Sequence, residues 1–150
     1  MSISQVKVSS RIREGFRIDV NTSHPFVIDQ PKAAGGTDQG PNPLEIFLSS
    51  LAACICTLGR IIATQKKLNV RAVDVEVEGD IDKDFLMGFT TEGRAGFTEI
   101  RTFVTIDADL TQAEKEDLLH EIERRCPIAD NLALETSLKA KVVDHIAISN

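Results

Sequence analysis

Three cysteines, at positions 54, 56 and 126, are the side chains of this 150-residue chain best suited to covalent chemistry. Cys126 immediately precedes Pro127, and Pro at the first helical position is a strong helix-start signal. A cysteine there feels oriented backbone N–H groups and the positive end of the helix dipole, which favour the nucleophilic thiolate. Cys54 lies instead in an apolar run over residues 44–63. There Phe47, Leu51, Cys54, Leu58 and Ile61 recur at spacings of three and four and predict a buried stripe. Burial without a positive neighbour raises a thiol pKa, and a lone helical cysteine is ordinarily a small apolar filler. Brought within bonding reach, Cys54 and Cys126 would form a redox couple. The 71 residues between them leave that to the tertiary structure. Cys56 faces away from Cys54 on a helix, so it reads as packing.

Glu45 has a local role and a functional one. In the first turn of a helix a carboxylate answers unpaired N–H groups, worth about 0.3–1 kcal/mol. Near a thiol it can fix a guanidinium or hydrogen-bond a substrate hydroxyl. Nine positions separate it from Cys54, two and a half turns and ~13 Å along a helix, so the two lie on opposite faces. Glu45 can serve that thiol only across another element or another subunit. His24, His120 and His145 fall in three different elements without ligand spacing, so no metal site is expected. The glycines at 35, 36 and 40 lack the lysine and hydroxyl of a phosphate loop, and no cofactor is expected.

The elements that must position these residues follow from periodicity and punctuation. Strands are expected over 6–8 and within 11–20, with a turn at Glu14-Gly15, and over 24–29. Residues 30–41 are rich in breakers and read as a loop. Asn42 as N-cap, Pro43 and Glu45 then start a helix expected to reach Lys66 or Lys67, ~36 Å long at the standard rise. Val73, Val75 and Val77 alternate with Asp74, Glu76 and Glu78, predicting a strand with one wet face. Strand pattern continues over 85–89 and 97–108. Thr111 and Glu114 form a capping box for a second helix ending near Arg125. A short helix from Cys126-Pro127 and a last strand over 140–148 complete the chain. Strands, long helix, strands, helix, strand imply an α+β fold with mainly antiparallel pairing.

Composition narrows the function. The length and the 42% apolar content suit one domain, 1–150, with a substantial core. Seventeen basic residues stand against 23 acidic ones, with no basic block for phosphates, so no nucleic-acid partner is expected. The N-terminus lacks the pattern of a secretory signal, so the expected compartment is the cytoplasm, where any disulfide is more often transient than structural. Residues 44–63 reach membrane-span length, but Glu45, Ser49, Ser50, Thr57, Gly59 and Arg60 interrupt them. A central helix covered on most sides is expected rather than a membrane span, and a second subunit would supply the cover that a small domain lacks.

The run Gly40-Pro41-Asn42-Pro43-Leu44-Glu45 through Leu51-Ala52-Ala53-Cys54, followed by Cys126-Pro127-Ile128-Ala129-Asp130-Asn131-Leu132, resembles the family of osmotically inducible protein C and organic hydroperoxide resistance proteins (OsmC/Ohr). The resemblance covers about residues 15–148. It implies an intertwined homodimer in which antiparallel sheets wrap two long central helices, with a thiol site at the subunit interface. It further implies that Cys54 is the peroxidatic thiolate, Cys126 the resolving thiol and Glu45 a polar group of the site. Small organic hydroperoxides would be the substrates and an external dithiol the reductant. An arginine stabilises the thiolate in that family. Of Arg11, Arg13 and Arg17, Arg17, beside apolar neighbours in an early strand, is assigned that place. Two other functions fit the same fold: a non-catalytic dimer holding a small apolar or acyl ligand, and a redox sensor that oxidises without turnover.

Overall fold

The computed structural model describes residues 1–147 and divides into two compact units, Met1–Ile46 joined by residues 138–147, and Phe47–Ser137. In the first unit, β1 (Ser9–Ile12), β2 (Ile18–Asn21) and β3 (Phe26–Ile28) form an antiparallel sheet in that order. Gly15, at φ +62°, supplies the left-handed residue of the β1–β2 turn. Residues 6–8 are not a strand, contrary to their pattern. β2 ends at Asn21 opposite Ser9, so the ladder stops before them.

The loop after β3 is ordered by one buried carboxylate. Asp29 accepts from the backbone N–H groups of Gln30, Thr37 and Gln39 and, at 2.6 Å, from the Thr37 hydroxyl. Gly36 lies so close to Gln30 that a Cβ would sit 1.9 Å from its carbonyl oxygen, which explains a glycine there. Thr37, and then the three backbone N–H groups, outweigh burial and hold the Asp29 carboxyl below its ordinary value. A depressed folded pKa means the stabilisation is present above the unfolded value and is lost as pH falls toward the folded one. Asp29→Asn is therefore expected to lower stability at neutral pH and to flatten its loss in acid, as measured by denaturant unfolding at stepped pH.

α1 (Pro43–Lys66) begins as its caps dictate. Asn42 Oδ1 accepts from the N–H groups of Leu44 and Glu45, at 2.9 and 3.0 Å, and Glu45 Oε2 accepts in return from the Asn42 N–H at 2.8 Å. In the second unit, β4 (Val70–Ile81) and β5 (Phe97–Ala108) pair antiparallel from Val70 opposite Ala108 to Ile81 opposite Phe97. Val73, Val75 and Val77 pack on the core, and the intervening acids face out. Arg71 links to Asp107 and Asp109 at one end of the ribbon, and Arg101 to Glu78, Asp80 and Glu99 at the other.

The strand expected over 85–89 does not form. Asp82 Oδ1 captures the N–H groups of Asp84 and Phe85 and starts a single turn, α2 (Lys83–Leu86). α3 (Gln112–Arg125) carries the expected Thr111–Glu114 capping box, and α4 (Pro127–Ala133) follows after the single residue Cys126. The core joins Leu51, Ile55, Leu58 and Ile62 of α1 to Ile106 and Ala108 of β5 and to Leu118 and Ile122 of α3. Residues 140–147 are not a strand, because among the described residues no neighbour offers them a ladder. The remaining position of that expected strand, 148, lies outside the described residues.

Candidate active site

The buried face of α1 is rotated from the expected stripe. Leu51, Ile55, Leu58, Gly59, Ile62 and Ala63 are buried, whereas Phe47 and Ile61 are about two-fifths exposed. A small residue favours this face: a Cβ on Gly59 would lie 3.1 Å from Val73 and 3.5 Å from Ile122, so β4 and α3 both approach α1 closely there. Phe47, outside that contact, stacks on Phe97 with ring centres 5.8 Å apart. Cys54 thus stands at the margin of the core, half-buried, instead of at its centre. Cys56 is also half-buried and donates its thiol to the Val73 carbonyl at 3.5 Å, as packing would have it.

Cys126 is the fully buried member of the pair, which inverts the accessibilities suggested by the two sequence contexts. It closes α3, its N–H donating to Glu123, and opens α4, its carbonyl accepting from Asp130 at 2.9 Å. Its sulfur accepts from the Ala129 N–H at 3.4 Å.

The fold brings the two cysteines together as free thiols. Cys54 packs against the core cluster that contains Cys126, near enough for that side chain and the Ile128 N–H to act on its thiol. Two adjacent backbone amides of the first turn of α4, which have no partner within the helix, thus serve two sulfurs. Burial, and then Cys126, push the Cys54 thiol above its ordinary value, opposed by the Ile128 N–H. No cationic side chain acts on it among the described residues of its unit. The amides were missed in the sequence, although Pro127 at the first helical position marks Ile128 and Ala129 as carrying unpaired N–H groups.

Glu45 and Arg17 belong to the other unit and have local partners in it. Glu45 closes the capping box described above. Arg17, just before β2, donates to Asp19 at 2.8 Å and to the Gln39 side chain. Among the described residues no three His, Cys, Asp or Glu side chains gather as a metal site.

The profile of the OsmC-like protein family matches residues 36–141, and the chain belongs to that family. It is 26% identical over 106 residues to a hydroperoxide reductase of Mycoplasma pneumoniae, which covers 71% of this chain and 72% of that one. An uncharacterised protein of Acinetobacter baylyi is 33% identical over 86 residues, 54% of this chain and 59% of its own length. Another, of Methanocaldococcus jannaschii, is 26% identical over 103 residues, 67% of this chain and 49% of its own length, so the chain spans about half of that relative. Among solved structures, an OsmC-like protein from Mycoplasma pneumoniae superposes with a TM-score of 0.75 at 22% identity, covering 87% of this chain and 88% of that one. An organic hydroperoxide resistance protein from Legionella pneumophila gives 0.65 at 20% identity, covering 88% and 91%. At these identities the structures establish the shared fold.

Proposed function

We propose that the protein is a thiol-dependent peroxidase that reduces small organic hydroperoxides in the cytoplasm. The observation that carries this reading is the packing of the half-buried Cys54 against the core cluster that holds the buried Cys126. The naming of the Mycoplasma pneumoniae relative as a hydroperoxide reductase supports it. In the first step the Cys54 thiolate attacks the terminal peroxide oxygen. An S–O bond forms, the O–O bond breaks, and the alkoxide leaves and takes a proton as the alcohol. The Cys126 sulfur then attacks the sulfenic sulfur; the S–S bond forms, the S–O bond breaks, and hydroxide departs with the Cys126 proton as water. An external dithiol restores both thiols and is itself oxidised to a disulfide.

The same proposal makes the working form a homodimer. Only six of the 24 residues of α1 are buried in the single chain, and residues 140–147 have no strand partner among the described residues, so surface is left for a second copy. Arg17 is proposed as the cation of the Cys54 thiolate and Glu45 as the group that orients its guanidinium. Because the Cys54 thiol is raised, its first oxidation is expected to accelerate as pH rises through and above neutrality, about tenfold per unit while the thiol is mostly protonated. Titration of free thiols after one equivalent of an organic hydroperoxide, at stepped pH, checks both points. Two thiols should disappear per chain, and retention of both Cys54 and Cys126 as thiols would reject the peroxidase.

The raised thiol also favours a second reading, a redox sensor that oxidises once and is not recycled. Stoichiometric disulfide formation without turnover in the presence of a dithiol would select it. A small ligand retained through purification and seen by native mass spectrometry would select a binding dimer.

A further inference from the structure

The last turn of α3, which leads directly into Cys126, is tied to α1, the helix that carries Cys54. Ile122 packs against α1 at Gly59 and is fully buried. On the adjoining face Glu121 bridges the two helices, one carboxylate oxygen accepting from Lys66 near the end of α1 and the other from Arg125 at 3.2 Å. Arg125 donates as well to Gln65 of α1 at 3.0 Å. The Glu121 side chain is only 19% exposed, and Lys66 foremost, with Arg125, holds its carboxyl below the ordinary value, so the bridge is charged at neutral pH. The chain therefore fixes the residue next to one sulfur to the helix bearing the other. These links do not touch either thiol.

We infer that Glu121 is a positioning residue for disulfide closure, holding Arg125 and hence the neighbouring Cys126 against α1 so that the Cys126 sulfur meets Cys54. The inference deepens the peroxidase reading and rests on it for its biological step, but closure itself can be driven by another oxidant. Diamide serves: Cys54 adds across its N=N bond, and Cys126 then displaces the hydrazine product as the S–S bond forms. A partly exposed ion pair contributes modestly, so Glu121→Gln and Arg125→Gln are each expected to slow closure about two- to fivefold. The double variant should slow it by less than the product of the two, since both cut one bridge. The oxidation of Cys54 itself should be unchanged.

The test follows sulfenic acid formation and thiol loss separately in the full chain, with an organic hydroperoxide and with diamide, at low and high salt. Salt should slow wild-type closure toward the Glu121→Gln rate and leave that variant unmoved, a response that general loosening of the fold does not produce. Closure at the wild-type rate in both single variants, equal slowing of both phases, or wild-type thiols that diamide cannot close would overturn the inference. Thiols untouched by hydroperoxide but closed by diamide reject the peroxidase, and the diamide rates then decide the role of Glu121 alone.

Discussion

Cys54→Ser is expected to abolish hydroperoxide consumption, a fall of about a thousandfold or more, as when an enzyme loses its nucleophile. Serine keeps the size of the side chain, so the α1 face and the α4 turn should persist. What is lost is the sulfur that forms the S–O bond. Cys126→Ser should behave differently: one equivalent of hydroperoxide is consumed, and the chain stops at a Cys54 sulfenic acid open to a dimedone trap or to further oxidation. The contrast separates the proposed roles, in which the half-buried thiol would meet the oxidant and the buried one would follow. Turnover retained in Cys54→Ser would remove Cys54 as the nucleophile.

The second large effect is on stability. Ile122 has no exposed surface and sits where α1, β4 and α3 converge on Gly59, so Ile122→Ala is expected to cost about 2–5 kcal/mol in urea unfolding. The missing methyl groups lose their contacts and leave a cavity that the convergent elements close only in part. A loss below about 1 kcal/mol would contradict that packing. The same change should also slow closure of the Cys54–Cys126 disulfide, because Ile122 lies one turn before Cys126 on α3.

Local chemistry was legible along the chain wherever it decided the outcome locally. The caps at Asn42 and Thr111, the helix start at Pro127 and the valine alternation of β4 all appear in the structure at the expected positions, since each depends on neighbours within a few residues. The failures have two causes, the need for a distant partner and the capture of a strand-like segment by a local cap. Residues 6–8 and 140–147 have strand composition but join no ladder among the described residues, and 85–89 were diverted by the nearby carboxylate of Asp82. A strand pattern states only that a residue fits a sheet, and pairing requires the sheet.

The candidate site divides in the same way. Readable along the chain were the family, from its two cysteine motifs, the helix start at Cys126-Pro127 and the Glu45 cap. Which thiol is reachable was decided by the tertiary structure. The close approach permitted at Gly59 turns α1 so that Ile55 and Ile62 enter the core and Cys54 is left at its edge, while the α3–α4 junction carries Cys126 inside. The periodicity of a nearly all-apolar helix cannot select among its faces, because many rotations bury similar side chains. Only the shapes of β4 and α3 against Gly59 make that selection, and with it the proximity of the two cysteines.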